Sequence, residues 1–131
     1  MNTTRRIFSG ALLASFIGPS LTQAHEAHRG PNGGQKLDLG DGHAELVAQG
    51  NKLQLFLFDN ADKVRSAQGA TAQATVLAGG KSVTVALTPV RDNLLAGEGD
   101  FTAARGMRVV VVLTLPGQKP AQARFTPLDQ A

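Results

Sequence analysis

Short apolar segments separated by glycine turns occupy most of the chain after residue 34, and this pattern constrains the fold more than any other feature. KLQLFLFD (52–59) alternates leucines with other side chains, and RVVVVLTL (108–115) is the most β-branched run. A period of two residues is typical of β-strands that bury one face. The other segments of strand length are QKLDL, HAELVA, ATAQATVLA, KSVTVALT and AQARF.

The turns between these segments contain the residues that tight hairpins use. Gln49-Gly50-Asn51 follows HAELVA, Gly79-Gly80 joins two apolar runs, and Pro116-Gly117 precedes AQARF. A Gly-Gly pair suits a two-residue turn of the primed type, which requires positive φ. About seven or eight short strands with such turns predict an all-β fold, one small antiparallel β-sandwich that is Ig-like or barrel-like. We place this domain at residues 35–131.

The first 24 residues have the pattern of a signal peptide. Arg5 and Arg6 precede an apolar run, 7–17, that is too short to span a bilayer. Thr22 and Ala24 place small residues three and one positions before a cleavage point. We therefore expect export to the periplasm and no membrane span in the mature chain. The paired arginines also resemble a twin-arginine signal, so both export routes stay open.

Composition excludes several function classes. Without Arg5 and Arg6 the chain has 11 basic side chains against 10 acidic ones, so the net charge falls from +3 to about +1. A nearly neutral surface that lacks Trp and Tyr argues against binding to nucleic acid. The absence of Cys rules out thiolate sites, and two Met residues are too few for a thioether site. Any metal site must use nitrogen and oxygen ligands, which favours Cu(II), Zn(II) or Ni(II).

The segment 25–34, rich in His and Gly, is predicted to form a flexible arm that enters the sheet. It contains His25 and His28. Cleavage after Ala24 would make His25 the N-terminal residue, whose α-amine and imidazole can chelate one metal ion together. Cleavage after Ala27 would instead remove His25 and make His28 the first residue.

The third histidine, His43, lies close to two carboxylates in the sequence. His43 and Glu45 are two residues apart in a predicted strand, so their side chains point to the same face, and Asp41 lies in the turn before them. An imidazole with a carboxylate is a common ligand pair, and the carboxylate can also orient the imidazole. The alternative is that the arm histidines are an exposed tail and that His43 pairs with Glu45 for structural reasons. The candidate metal ligands are His25, His28, His43, Asp41 and Glu45.

One block of the sequence resembles a known family. The spacing Gly33-Gly34, five residues, Gly40-Asp41, three residues, Glu45-Leu46 is similar to the N-terminal β-domain of periplasmic adaptor subunits of heavy-metal efflux pumps. It is also similar to small stand-alone secreted proteins that share the block. The stretch 93–101 resembles the region before the last strands of that domain, and the likeness covers most of residues 31–115. Glycine turns at both ends of QKLDL give much of the block a fold-specifying role as well.

The resemblance implies a periplasmic accessory protein that handles metal ions. Adaptor subunits continue into a helical hairpin, a lipoyl-like domain and barrel domains, whereas this sequence ends at Ala131. We therefore expect a module that binds, buffers or delivers a divalent heavy metal, or a free-standing partner of such an efflux system, and not an adaptor itself.

Three hypotheses about function follow from the sequence. The first is a periplasmic metal-binding accessory protein. The second is a β-sandwich of the cell envelope that binds another protein, for instance by pairing at an edge strand, and binds no metal. The third is a copper redox enzyme that uses an N-terminal histidine brace with His43 as the second histidine. No motif for catalysis or for an organic cofactor is present in the sequence, so we expect a protein that is not an enzyme.

Overall fold

The computed structural model describes residues 28 to 129 and confirms the prediction of an all-β fold. Within this range, nine antiparallel strands form one sheet in the order β1-β2-β3-β4-β7-β6-β5-β8-β9. The strands are β1 (His28–Arg29), β2 (Gln35–Leu39), β3 (Gly42–Gln49), β4 (Lys52–Phe58), β5 (Thr71–Ala78), β6 (Lys81–Arg91), β7 (Leu94–Glu98), β8 (Arg108–Thr114) and β9 (Ala121–Phe125). The predicted signal peptide and His25 lie outside the described residues.

The sheet folds into two halves that share the long strand β6. The end of β6 pairs with β7, and residues 81–87 pair with β5. The register shifts between Pro89 and Arg91, where the chain forms a bulge. A proline has no N–H to donate, and a bulge is one of the few places where a sheet accepts it. The first half-sheet contains β1 to β4 and β7, and the second contains β5, β8 and β9.

The two halves meet again between β2 and β9, which gives a nearly closed, barrel-like sheet. The backbone N–H of Thr126, directly after β9, donates to Oε1 of Gln35 at 2.7 Å. At the other end of β2, a Cβ built on Gly40 would lie 3.3 Å from the Cβ of Ala121. Within residues 28–129 no backbone ladder joins these two strands, so side chains close this seam.

The alternation of inward and outward side chains along each strand determines which residues form the core. Leu53, Leu55 and Leu57 of β4 point inward and are almost fully buried, as are Val109 and Val111 of β8. Burial of one leucine side chain contributes about 1.5–3 kcal/mol, so these rows specify which face of each strand is internal. The intervening residues of β3 and β4 point outward, and the candidate site lies on that outer face. None of the described residues belongs to a helix that is long and apolar enough to cross a bilayer.

Candidate metal centre

His43 lies on the outer face of the first half-sheet, near the start of β3. In register, Asp38 of β2 is opposite it on one side and Phe58 of β4 on the other. Its neighbours Gly42 and Ala44 are buried, so alternation along β3 directs the imidazole outward. Its side chain is 27% exposed, which leaves part of the ring accessible to solvent.

Both ring nitrogens of His43 contact carboxylates. Nδ1 lies 2.8 Å from Oδ1 of Asp62, and Nε2 lies 3.1 Å from Oδ1 of Asp38. A neutral imidazole has one N–H and can donate to only one of these oxygens, whereas the second nitrogen is then an acceptor that faces another acceptor. With the N–H on Nδ1, the lone pair of Nε2 faces the carboxylate of Asp38, and these are two groups that a cation can bind.

The carboxylate of Asp62 has a second partner in addition to His43. Its Oδ1 also accepts a hydrogen bond from Nζ of Lys36 at 2.7 Å. The pKa of Asp62 is lowered, chiefly by this hydrogen bond and the charge of Lys36, with a smaller contribution from His43. Lys36 in turn lies 4.8 Å from the centroid of the Phe58 ring. We call Lys36, Asp38, His43 and Asp62 the His43 cluster.

Asp41, one of the predicted ligands, interacts with an arginine. Its Oδ1 accepts a hydrogen bond from Nη1 of Arg65 at 2.8 Å. The hydrogen bond and the charge of Arg65 lower the pKa of Asp41. The pair links the β2–β3 turn to the segment that follows β4, so Asp41 has a structural partner in this arrangement.

Glu45, another predicted ligand, is on the same outer face as His43 but is 0% exposed. Its Oε2 accepts hydrogen bonds from the backbone N–H of Asn32 at 2.8 Å and of Gly34 at 2.7 Å. Its Oε1 accepts from Nδ2 of Asn32 at 2.9 Å. The turn after β1 thus covers Glu45. A Cβ on Gly30 would lie 2.2 Å from Cδ of Glu45, so the turn approaches this carboxylate more closely than any side chain would allow.

The structure places part of the predicted arm in the sheet. His28 belongs to β1 and pairs in register with Lys36 of β2. Residues 30–34 form the turn over Glu45, closed by a hydrogen bond from the Gly30 N–H to the Gly34 carbonyl at 2.9 Å. His25 lies outside the described residues. The described part of the chain thus begins in the sheet beside Lys36, a member of the His43 cluster.

Asp38 and Asp62 are not among the ligands predicted from the sequence. The position of Asp38 could have been derived, since a two-residue turn at Gly40-Asp41 pairs residue 39 with 42 and residue 38 with 43. Asp62 lies in the loop after β4 with a φ of 65°. No sequence pattern indicates that this loop folds back onto β2 and β3.

Among residues 28–129, no group of three or more His, Cys, Asp or Glu side chains is arranged to hold a metal ion. Glu45 and Asp41 are engaged elsewhere, and His43 with Asp38 supplies two ligand groups. No family model matches the sequence, and no curated protein or solved structure is significantly similar to it. The resemblance to efflux adaptors thus stays a prediction.

Proposed function

We propose that this protein is a metal-binding accessory protein of the periplasm, which binds, buffers or delivers a divalent ion such as Cu(II), Zn(II) or Ni(II). The observation that carries the proposal is the pair formed by Nε2 of His43 and Oδ1 of Asp38, 3.1 Å apart at the surface. A divalent ion bound here would be held by Nε2 of His43 and by the carboxylate of Asp38.

Asp62 serves this site without binding the metal. It accepts the hydrogen bond from Nδ1 of His43, which selects the tautomer whose Nε2 lone pair faces outward. A carboxylate behind a ligating histidine orients the ring and raises its basicity. The lowered pKa of Asp62 keeps this group ionised throughout the range in which an imidazole is neutral. Asp38 is 90% exposed and can rotate to ligate the ion.

The remaining ligands come from the chain before β1. The first described residue, His28, pairs in register with Lys36, a member of the His43 cluster. An N-terminal His25 would contribute its amine and its imidazole, and together with His43 and Asp38 would complete four positions, a usual number for Zn(II). The proposal replaces Asp41 and Glu45 of the predicted ligand set with Asp38 as ligand and Asp62 as the orienting group.

The proposal is tested by calorimetric titration of the exported protein with Cu(II), Zn(II) and Ni(II), after intact mass has established its first residue. We expect one ion per chain, with affinity that weakens as the pH falls below about 6.5, where imidazoles in general take up protons. His43→Ala, Asp38→Asn and His25→Ala should each weaken binding by at least about tenfold, the usual cost of losing a ligand or its support.

Asp100→Asn is the matched control, because Asp100 is equally exposed but pairs with Lys81, away from the His43 cluster. This variant should bind like the parent protein. Unchanged affinity in His43→Ala would overturn the proposal, as would equal loss in Asp100→Asn.

A second function is favoured by the seam between β2 and β9. Within the described range β9 pairs only with β8, and its other edge meets β2 through side chains. A strand edge without a backbone ladder can accept a strand of another protein. If the protein is such an interaction module, a variant that lacks all three histidines will bind its partner as the parent does. Loss of partner binding in that variant would exclude this function.

A further inference from the structure

A cleft of about 480 Å³ lies at the opposite end of the sheet from His43. It is formed by the β5–β6 turn and by the loop before β8. His43 pairs with Phe58 at the end of β4, whereas Lys52 at its start pairs with Glu98 at the end of β7. Strand β6 runs antiparallel to β7, so its first residue, Lys81, belongs to the Glu98 end. The cleft is therefore independent of the proposed metal centre.

The charged side chains that line the cleft are all cationic. They are Lys81, Arg105 and Arg108. Two carboxylates lie beside it: Asp100 pairs with Lys81 at 3.1 Å, and Asp129 accepts a hydrogen bond from the Gly106 N–H at 2.7 Å. Neither Arg105 nor Arg108 makes a side-chain hydrogen bond or an ion pair with any residue of the described range. Two exposed guanidinium groups thus line one cleft without an ion pair to a described residue, and Asp129 lies beside them at Gly106.

The wall beside the arginines is apolar. Leu77 is directly opposite Arg108 in the β5–β8 register and is 41% exposed, although most leucines of this protein are buried. Met107 forms part of the lining and is itself buried. A Cβ built on Gly79, Gly80 or Gly106 would meet no atom within 4 Å, so these turns leave space for a bound group.

We propose that this cleft binds a phosphate group, with Arg105 and Arg108 as the recognition residues. Guanidinium groups match phosphate oxygens with paired hydrogen bonds, and the hydrogen bonds are strengthened by charge. Lys81 at the rim is paired with Asp100, so the two arginines carry the recognition, and Leu77 contacts the apolar portion of an amphiphilic ligand. The phosphate belongs either to a soluble phosphorylated compound or to the headgroup of an anionic lipid.

Two probes distinguish these sources. Inorganic phosphate is titrated into labelled protein and followed by amide chemical shifts, and vesicles of phosphatidylglycerol in phosphatidylcholine are tested by co-sedimentation at low salt. Shifts confined to the cleft with inorganic phosphate indicate a soluble ligand. Binding to the anionic vesicles alone indicates a lipid headgroup, and Leu77→Gln should then weaken it. Either result supports the cleft as a phosphate site.

The decisive variant is the double substitution Arg105→Gln and Arg108→Gln. Binding should fall by at least about tenfold, since each charge-assisted hydrogen bond contributes more than a neutral one. The matched control is Arg91→Gln with Lys119→Gln, which removes the same charge at the other end of the sheet and should change binding less than about twofold. All four side chains are exposed, so both variants should unfold at the parent's denaturant midpoint. Absence of binding to both probes, or equal loss in the control, overturns the proposal.

Discussion

At the scale of single residues, Glu45 explains much of the block that resembles the efflux adaptors. Its carboxylate accepts three hydrogen bonds from the turn of residues 32–34 and is fully buried. A Cβ on Gly34 would lie 2.3 Å from the Leu46 carbonyl oxygen, so this glycine permits the close approach. Gly34 and Glu45 of the block thus belong to one contact, which joins the turn after β1 to strand β3.

This contact predicts a difference between two substitutions of Glu45. Glu45→Ala leaves the buried N–H of Gly34 and the partly buried N–H of Asn32 without acceptors, and should lower the free energy of unfolding by about 2–4 kcal/mol. Glu45→Gln keeps an oxygen for these donors and should cost less than half as much. Urea unfolding measures both, with the exposed Asp38→Ala as control. Equal costs for Ala and Gln would contradict the role given to the oxygens.

Asp59 provides a prediction about pH. Hydrogen bonds from the N–H groups of Lys63 and Ala61 lower the pKa of Asp59 below 3.8. Since the folded pKa is lower than the unfolded one, the ionised carboxylate stabilises the loop above pH 3.8, and this stabilisation is lost as the pH falls through the lowered pKa. Asp59→Asn should therefore make stability less dependent on pH in this window.

The measurement is urea unfolding at a series of acidic pH values. Asp92→Asn is the control, because Asp92 is exposed and its φ of 45° suits asparagine as well. An identical pH dependence in Asp59→Asn and in the parent would refute the assignment.

At the scale of strands and turns, the alternation of apolar with other side chains predicted most of the strands. The remaining strand segments form because they pair with neighbouring strands. The leucine row of β4 and the valines of β8 indicated their strands correctly. The sequence did not indicate β7 (Leu94–Glu98), which has a glycine and no β-branched residue and becomes a strand because β4 and β6 pair with its two edges. It also did not indicate that β6 continues through Pro89, since the bulge that accepts the proline depends on the pairing with β7.

The β5–β6 turn was predicted in detail. Gly79 and Gly80 have φ values of 58° and 76°, as a primed turn requires. Gly80→Val forces a β-branched residue into this region and should destabilise the protein by about 1–3 kcal/mol. Gly79→Asn should change stability by less than about 0.5 kcal/mol, because Asn-Gly is a favoured pair for this turn. Thermal unfolding compares the two variants, and a larger loss in Gly79→Asn would contradict the assigned turn type.

At the scale of the whole molecule, the least conventional feature is the closure between β2 and β9. Gln35 and Thr126 are 91 positions apart, and the hydrogen bonds between them join the first and last parts of the sheet. Gln35 is 6% exposed, so its amide has little water to replace a lost partner. The sequence offered no signal for this contact, because a glutamine near a strand end is ordinarily exposed.

The hydrogen bonds that join β2 to β9 predict which part of the sheet unfolds locally when they are lost. Gln35→Met keeps the volume but leaves the Thr126 N–H without an acceptor, and should cost about 1–3 kcal/mol. Amide exchange in β9 should accelerate more than exchange in the central strand β4. Gln122→Met, at an exposed position of β9, should have neither effect. Uniform acceleration across the sheet would show that Gln35 does not close the seam.

A divalent ion bound to Nε2 of His43, as proposed, would be reported directly by the ring nitrogens of this residue. The measurement is a long-range ¹H–¹⁵N spectrum of the histidines during titration of the exported, ¹⁵N-labelled protein with Zn(II). We predict a saturable shift of the His43 Nε2 resonance at one ion per chain, while Nδ1 stays protonated against Asp62. His43 resonances that do not change at saturating Zn(II) would contradict the metal site.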